Sequence, residues 1–155
     1  MSRPVCLVTG SSSGIGAAIA SAFAENGSDV IINYNTGEER AQQIASDLRS
    51  RYGVETLTLQ ADLSKREAAF DLVDRTVSHF NRLDVVVSNS GVVNYIAGAD
   101  GKLVRYRFAE TPMDHLDQEM ARVMDLNLMG AYRLMQRSMH HMTAFAEKER
   151  AKGET

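Results

Sequence analysis

Val5-Cys6-Leu7-Val8-Thr9-Gly10-Ser11-Ser12-Ser13-Gly14-Ile15-Gly16 is the stretch from which the fold is read. Four apolar residues end in a threonine, three glycines follow, and helical spacing then starts at once with Ile15, Ala18, Ile19, Ala22 and Phe23. This is a strand, a tight turn and a helix N-terminus. Glycine tolerates positive φ and lets another group come close to the backbone. The first turn of a helix exposes free N–H donors and a partial positive charge, which together attract phosphate. Gly10, Ser12, Ser13, Gly14, Ile15 and Gly16 therefore form a candidate pyrophosphate cradle. A plain strand-to-helix turn uses the same residues, so the rest of the chain must decide between the two readings.

Outward from this loop, strand and helix patterns alternate. Asn26-Gly27 stop the first helix, and Val30-Ile31-Ile32 is a second short apolar run. Thr36-Gly37 precede Glu38-Glu39 as a cap with acids in the first turn, and Ala41, Ile44, Ala45 and Leu48 continue that helix on one face. Val54 to Leu59 alternates as a third strand. Ser64 with Glu67 fits a capping box for a third helix carrying Phe70, Val73, Val77 and Phe80. Leu83 to Val87 reads as a fourth strand. This alternation predicts right-handed βαβ units: an α/β, Rossmann-like, doubly wound parallel sheet, ending here after about four strands and the fourth helix. Ligands in such sheets bind beyond the carboxyl ends of the strands. Those ends carry Thr9-Gly10, Asn33-Tyr34-Asn35, Ala61-Asp62-Leu63 and Ser88-Asn89-Ser90-Gly91, all polar or glycine-rich. That convergence favours the phosphate cradle.

The bulk properties narrow the function classes. With 155 residues the chain is long enough for one domain with a core; 44% hydrophobic and 24% charged residues are ordinary for a globular protein. A net charge of −3 provides no basic footprint for nucleic acid. No apolar run approaches the ~20 residues of a membrane helix, and the start does not read as a signal peptide. The single cysteine, Cys6, reads as a buried strand residue. A cytoplasmic setting is the expectation. His140-His141 point away from each other on a helix, so no metal site is assigned.

At this point the residues resemble the short-chain dehydrogenase/reductase family. Its Thr-Gly-x-x-x-Gly-x-Gly loop is matched by Thr9, Gly10, Gly14 and Gly16; its Asp-Leu after the third strand by Asp62-Leu63; its Asn-Asn-Ala-Gly by Ser88-Asn89-Ser90-Gly91, with two small-residue departures; and its helix-four asparagine by Asn127. The resemblance implies an NAD(P)-dependent oxidoreductase that transfers hydride between NADP(H) and a small carbonyl or alcohol substrate. It implies adenine contacts for Asp62 and Leu63, and cofactor contacts for Asn89, Ser90 and Gly91. For Asn127 it implies a catalytic role, holding a water in a proton relay. Met120, Val123, Met124, Leu134 and Met135 lie at helical spacing around Asn127, which sets a polar amide on an apolar face. A helix amide bonded to nearby backbone is the alternative.

The second strand ends without the acid that an NAD site commonly places about 20 residues beyond the loop. Asn33, Tyr34, Asn35 and Thr36 can donate hydrogen bonds to a 2′-phosphate, so NADP is favoured over NAD, although the glycine loop holds no arginine or lysine. Residues 92–113 form a longer excursion, with Asp100-Gly101 as a hairpin tip. It reads as a substrate flap, a subunit contact or a solvated loop. The 114–147 helix, rich in methionine, is a candidate homo-oligomer surface. None of the five tyrosines has a lysine four residues on, so the family's Tyr-x-x-x-Lys pair and its serine are not found in this chain. A non-catalytic dinucleotide-binding or interaction protein is the second reading. A P-loop is disfavoured because no Gly-Lys-Ser/Thr follows the glycines.

Overall fold

The structure, a computed structural model, describes residues 3–93, 95–97, 103–105 and 111–153. Strands β1 (Val5–Val8), β2 (Asp29–Tyr34), β3 (Thr56–Gln60) and β4 (Val85–Val87) form one parallel sheet in the order β3-β2-β1-β4. Helices α1 (Gly14–Glu25), α2 (Glu38–Tyr52) and α3 (Arg66–Phe80) connect them. After β4 come a short antiparallel pair, β5 (Tyr95–Ala97) and β6 (Leu103–Arg105), then α4 (Met113–Met124), a π-helical turn (Asp125–Gly130) and α5 (Ala131–Gly153). The Asp100-Gly101 tip expected between β5 and β6 lies outside the described residues.

Strand periodicity divides the core between the two faces of the sheet. Val5 and Leu7 of β1 and Ile31 of β2 pack with Ala69, Leu72, Val73 and Leu134 of α3 and α5. Cys6, Val8, Val30 and Ile32 point the other way, against Ala20, Ala24, Ala41, Ala45 and Leu48 of α1 and α2. The two central strands, β1 and β2, are buried on both faces and read as near-continuous apolar runs for that reason. Burial pushes the Cys6 thiol up to about 12, so it packs as a small neutral hydrophobe.

The third helix is reached differently from the expected capping box. Lys65 is its N-cap, with no side-chain cap bond. The Ser64 hydroxyl instead donates to Asp62 Oδ1 at 2.8 Å, and the Ser64 N–H donates to the same oxygen at 3.0 Å. Asp62 comes first in the chain and closes an Asx turn before the helix can start, which takes Ser64 out of the capping position. The fourth strand is shorter than expected. Asp84 turns its carboxylate back onto the Val5 N–H (2.7 Å) and the Arg82 guanidinium (2.7 and 2.8 Å).

The carboxy-terminal helix is anchored through α3. Asp74 accepts from Arg137 at 2.7 and 2.8 Å and meets His141 Nε2 at 2.7 Å. His141 thus helps dock α5 on α3. Much of the methionine stripe is uncovered: Met120, Met124, Met135 and Met139 are 44–60% exposed. Among the described residues no helix is long and apolar enough to cross a membrane.

Candidate functional site

The carboxyl ends of β1, β2, β3 and β4 open into one cavity of about 350 Å³. Its floor is the glycine loop, with Gly10, Ser12 and Ser13 lining it. Gly10 has φ 62°, and a Cβ there would stand 2.9 Å from Ser90 Oγ and 3.3 Å from Asn89 Nδ2. Only glycine satisfies both demands. A Cβ on Gly16 would meet the Gly10 carbonyl at 2.5 Å, so this glycine lets α1 start flush against the loop. Gly14, Ile15 and Gly16 do not themselves line the cavity, and Ile15 is 75% exposed. No side chain caps the start of α1, which leaves its first-turn N–H groups for a ligand.

Two buried side chains hold the loop in place. Thr9 is fully buried, and its hydroxyl accepts the backbone N–H groups of Asn89 (2.9 Å) and Ser90 (3.0 Å). Asn33 Oδ1 accepts the Gly10 N–H at 3.1 Å, and its Nδ2 donates to the Leu59 carbonyl at 3.2 Å. Asn33 lines the cavity, but its amide is committed to joining three strand ends. Asn89 is similar: Nδ2 donates to the carbonyls of Thr9 (2.9 Å) and Gly10 (3.3 Å). Chain pattern revealed these residues as polar strand ends; their mutual bonds arise only from the order of the sheet.

The walls come from two loops. Asp62 and Leu63 line one side, with Asp62 Oδ1 held by Ser64. Asn89, Ser90, Gly91 and Val92 line the other. Tyr34, Asn35 and Thr36 close one end; burial, followed by the neighbouring Glu38 carboxylate, raises the Tyr34 hydroxyl above its usual range. Arg40 stands at the same end, its guanidinium folded over Gly37, where an added Cβ would meet Nη2 at 2.5 Å. Arg40, absent from the sequence expectation, brings to the cavity the positive charge that the glycine loop lacks. The available signal was that it is the first cation after the second strand.

Asn127 lies in the π-helical turn and is exposed, where its apolar neighbours suggested burial. The helical face around it is itself largely uncovered, which explains the difference. Both ends of its amide are bonded: Oδ1 accepts the Val92 N–H at 2.8 Å, and Nδ2 donates to the Val92 carbonyl at 2.7 Å. Among the described residues there is no cluster of three or more metal-ligating side chains.

A sequence profile of the short chain dehydrogenases matches residues 4–154. A probable tetrahydroxynaphthalene reductase of Zymoseptoria tritici is 36% identical over 139 residues, covering 90% of this chain and 46% of that protein. Versicolorin reductase 1 of Aspergillus parasiticus is 35% identical, covering 89% of this chain and 47% of its own length. Among solved structures, the L-sorbose reductase of Gluconobacter frateurii, complexed with NADPH and L-sorbose, superposes with a TM-score of 0.77 at 28% identity. The match covers 92% of this chain and 49% of that one. An alcohol dehydrogenase of Thermococcus sibiricus, complexed with 5-hydroxy-NADP, gives 0.76 at 27% identity, covering 91% and 54%. The chain thus spans about half the length of the relatives it matches. With its parallel β3-β2-β1-β4 sheet, its glycine loop and a profile match along nearly its whole length, the chain belongs to the short-chain dehydrogenase family of oxidoreductases.

Proposed function

We propose that this chain is the cofactor-binding part of an NADP(H)-dependent reductase that interconverts a small-molecule carbonyl and its alcohol. The observation that carries the cofactor choice is Arg40, a cation at the Tyr34–Thr36 end of the cavity, where β2 runs out through Asn33-Tyr34-Asn35-Thr36 without an acid and Glu38 and Glu39 come only in the first turn of α2. The residues present fit the group. Gly10, Ser12 and Ser13, with the uncapped start of α1, would hold the pyrophosphate, and Asp62 and Leu63 would flank the adenine. Asn35, Thr36 and Arg40 would meet the 2′-phosphate. NADPH, when bound, supplies the hydride. The chain's own contribution is to bind and orient it and to keep its phosphates on fixed backbone donors.

In this reading Asn127 has two parts. Its amide fixes Val92 at the cavity wall, and the residue would take the place in a proton relay that the family resemblance implies. Positioned acid–base catalysis is worth ~10²–10⁴-fold, so without the Tyr-x-x-x-Lys pair the 155 residues by themselves should bind cofactor and turn over slowly. The same reading places the protein in the cytoplasm and gives the exposed methionines of α4 and α5 to a homo-oligomer contact. A non-catalytic dinucleotide binder remains the second reading.

Titration of the purified chain with NADPH and NADH tests this. We expect NADPH to bind more tightly, and Arg40→Ala to remove about tenfold of that preference, since a charged hydrogen bond is worth about 1.5–3 kcal/mol before screening at this exposed site. Equal loss for both cofactors would reject the role of Arg40. No binding of either would reject the whole proposal.

A further inference from the structure

One short segment outside the sheet touches both walls of the cavity. The π-helical turn Asp125–Gly130 interrupts an otherwise continuous helix from α4 to α5. Such turns bond i to i+5, rotate the downstream helix about its axis relative to the upstream one, and occur often at functional sites. Here Asn127 bonds both backbone groups of Val92 on one wall. Three residues on, Gly130 is buried against the other wall, where an added Cβ would stand 2.8 Å from the Leu63 carbonyl oxygen and 3.4 Å from Leu63 Cβ. The first turn of α5 adds Arg133, whose Nη1 donates to the Ser64 carbonyl at 2.9 Å. Neither Gly130 nor Arg133 lines the cavity; Leu63 and Val92 do.

The geometry points to Gly130 and Arg133 as positioning residues. Together with Asn127, the π turn sets the separation of the Asp62-Leu63 wall from the Asn89–Val92 wall, and so the affinity for the nucleotide, without touching it. This inference rests on the dinucleotide reading above. Gly130 allows the helix to sit directly on Leu63; a methyl there must push either the helix or the Asp62-Leu63 wall aside. Arg133 draws the end of the same wall towards α5.

The test measures NADPH affinity of the whole chain by nicotinamide fluorescence, well below the melting temperature of each variant. Gly130→Ala should weaken binding roughly tenfold or more, from the ordinary cost of overpacking. Arg133→Ala removes a hydrogen bond without adding bulk and should weaken it about three- to tenfold, with recovery in Arg133→Lys, which keeps a donor. A merely structural role would lower the melting temperature and leave affinity unchanged. Unchanged affinity in either folded variant overturns the inference, and if Gly130→Ala does not fold, Arg133→Ala decides alone. A wild-type chain that binds no NADPH refutes the dinucleotide reading and the inference with it, an outcome distinct from normal binding in the variants.

Discussion

Thr9→Val removes one hydroxyl and keeps the shape, which makes it a sharp probe of what holds the glycine loop to the fourth strand. Thr9 is fully buried, and valine fills the same volume, so no cavity is opened. The lost oxygen accepts two backbone N–H groups and donates weakly to the Val87 carbonyl at 3.3 Å. The two donors fare differently. The Asn89 N–H keeps a second acceptor, Val87 O at 3.1 Å. The Ser90 N–H loses the partner it has, and leaving such a group unsatisfied costs about 1–3 kcal/mol. Adding a fraction for the weakened Asn89 bond gives about 2 kcal/mol. For a chain of this length each kcal/mol moves the melting temperature by roughly 2–4 °C, so the expected drop is roughly 4–8 °C. Thermal denaturation monitored by circular dichroism reads this directly. Thr9→Ser, which keeps the hydroxyl and loses only a methyl, should fall by clearly less. If Thr9→Val melts with the wild type, or if the serine variant is the weaker of the two, the hydroxyl does not staple the loop.

Two further outcomes are expected. Gly14 has φ 57° and open space beyond its own helix around an added Cβ, so Gly14→Val combines a strain of about 1–2 kcal/mol with a bulky side chain at the uncapped start of α1, beside the proposed pyrophosphate donors. NADPH binding should fall at least about tenfold, the equivalent of the strain carried by the displaced loop, while the chain stays folded; unchanged affinity would remove the cradle assignment. Stability should also decline in acid. The Arg137 hydrogen bond, opposed by burial and helped by His141, holds the Asp74 carboxyl below its usual range. At Asp84 burial pushes up, but Arg82 and the Val5 N–H together hold the carboxyl low. A folded-state value below the unfolded one stabilises the protein above the unfolded value, about 3.9, and that contribution is lost as pH falls through the folded value. Melting temperature should be level near neutrality and drop below about pH 4, with a shallower drop in Asp74→Asn. A variant as acid-sensitive as the wild type would assign the loss to other groups.

Much of the architecture was legible along the chain. Apolar runs at Val5–Val8 and Val30–Ile32, helical spacing from Ile15 and from Ala41, and polar strand ends are local patterns, and local patterns report strand, helix and turn. The buried state of Cys6 followed from its place in a strand covered on both faces. The segment around Asn127 was less legible. Its apolar neighbours suggested burial, but whether a helical face is covered depends on what packs there, and α4 leaves it open. Ser64 has the right spacing to Glu67 for a cap, but the competing carboxylate of Asp62 sits only two residues away and takes its hydroxyl and N–H, and spacing rules do not rank the two.

By itself the sequence determined the class of the fold and the place of the site. The alternation of strand and helix and the glycines after Val8 are properties of consecutive residues, and the parallel direction of the strands that this alternation imposes puts every carboxyl end on one side. Only the tertiary structure decided which of those polar residues face a ligand and which brace the loop. Asn33 and Asn89 look alike as strand-end amides. The order β3-β2-β1-β4 places one beside Gly10 and Leu59 and the other beside Thr9 and Gly10, and in both the amide is taken up by backbone. Arg40, five residues past Asn35, is brought to the cavity by the turn into α2, and Gly130 is brought to Leu63 by a π turn that no spacing rule announces. Contacts between residues distant in sequence depend on the packing of whole elements, and that information is not carried by any single stretch of the chain.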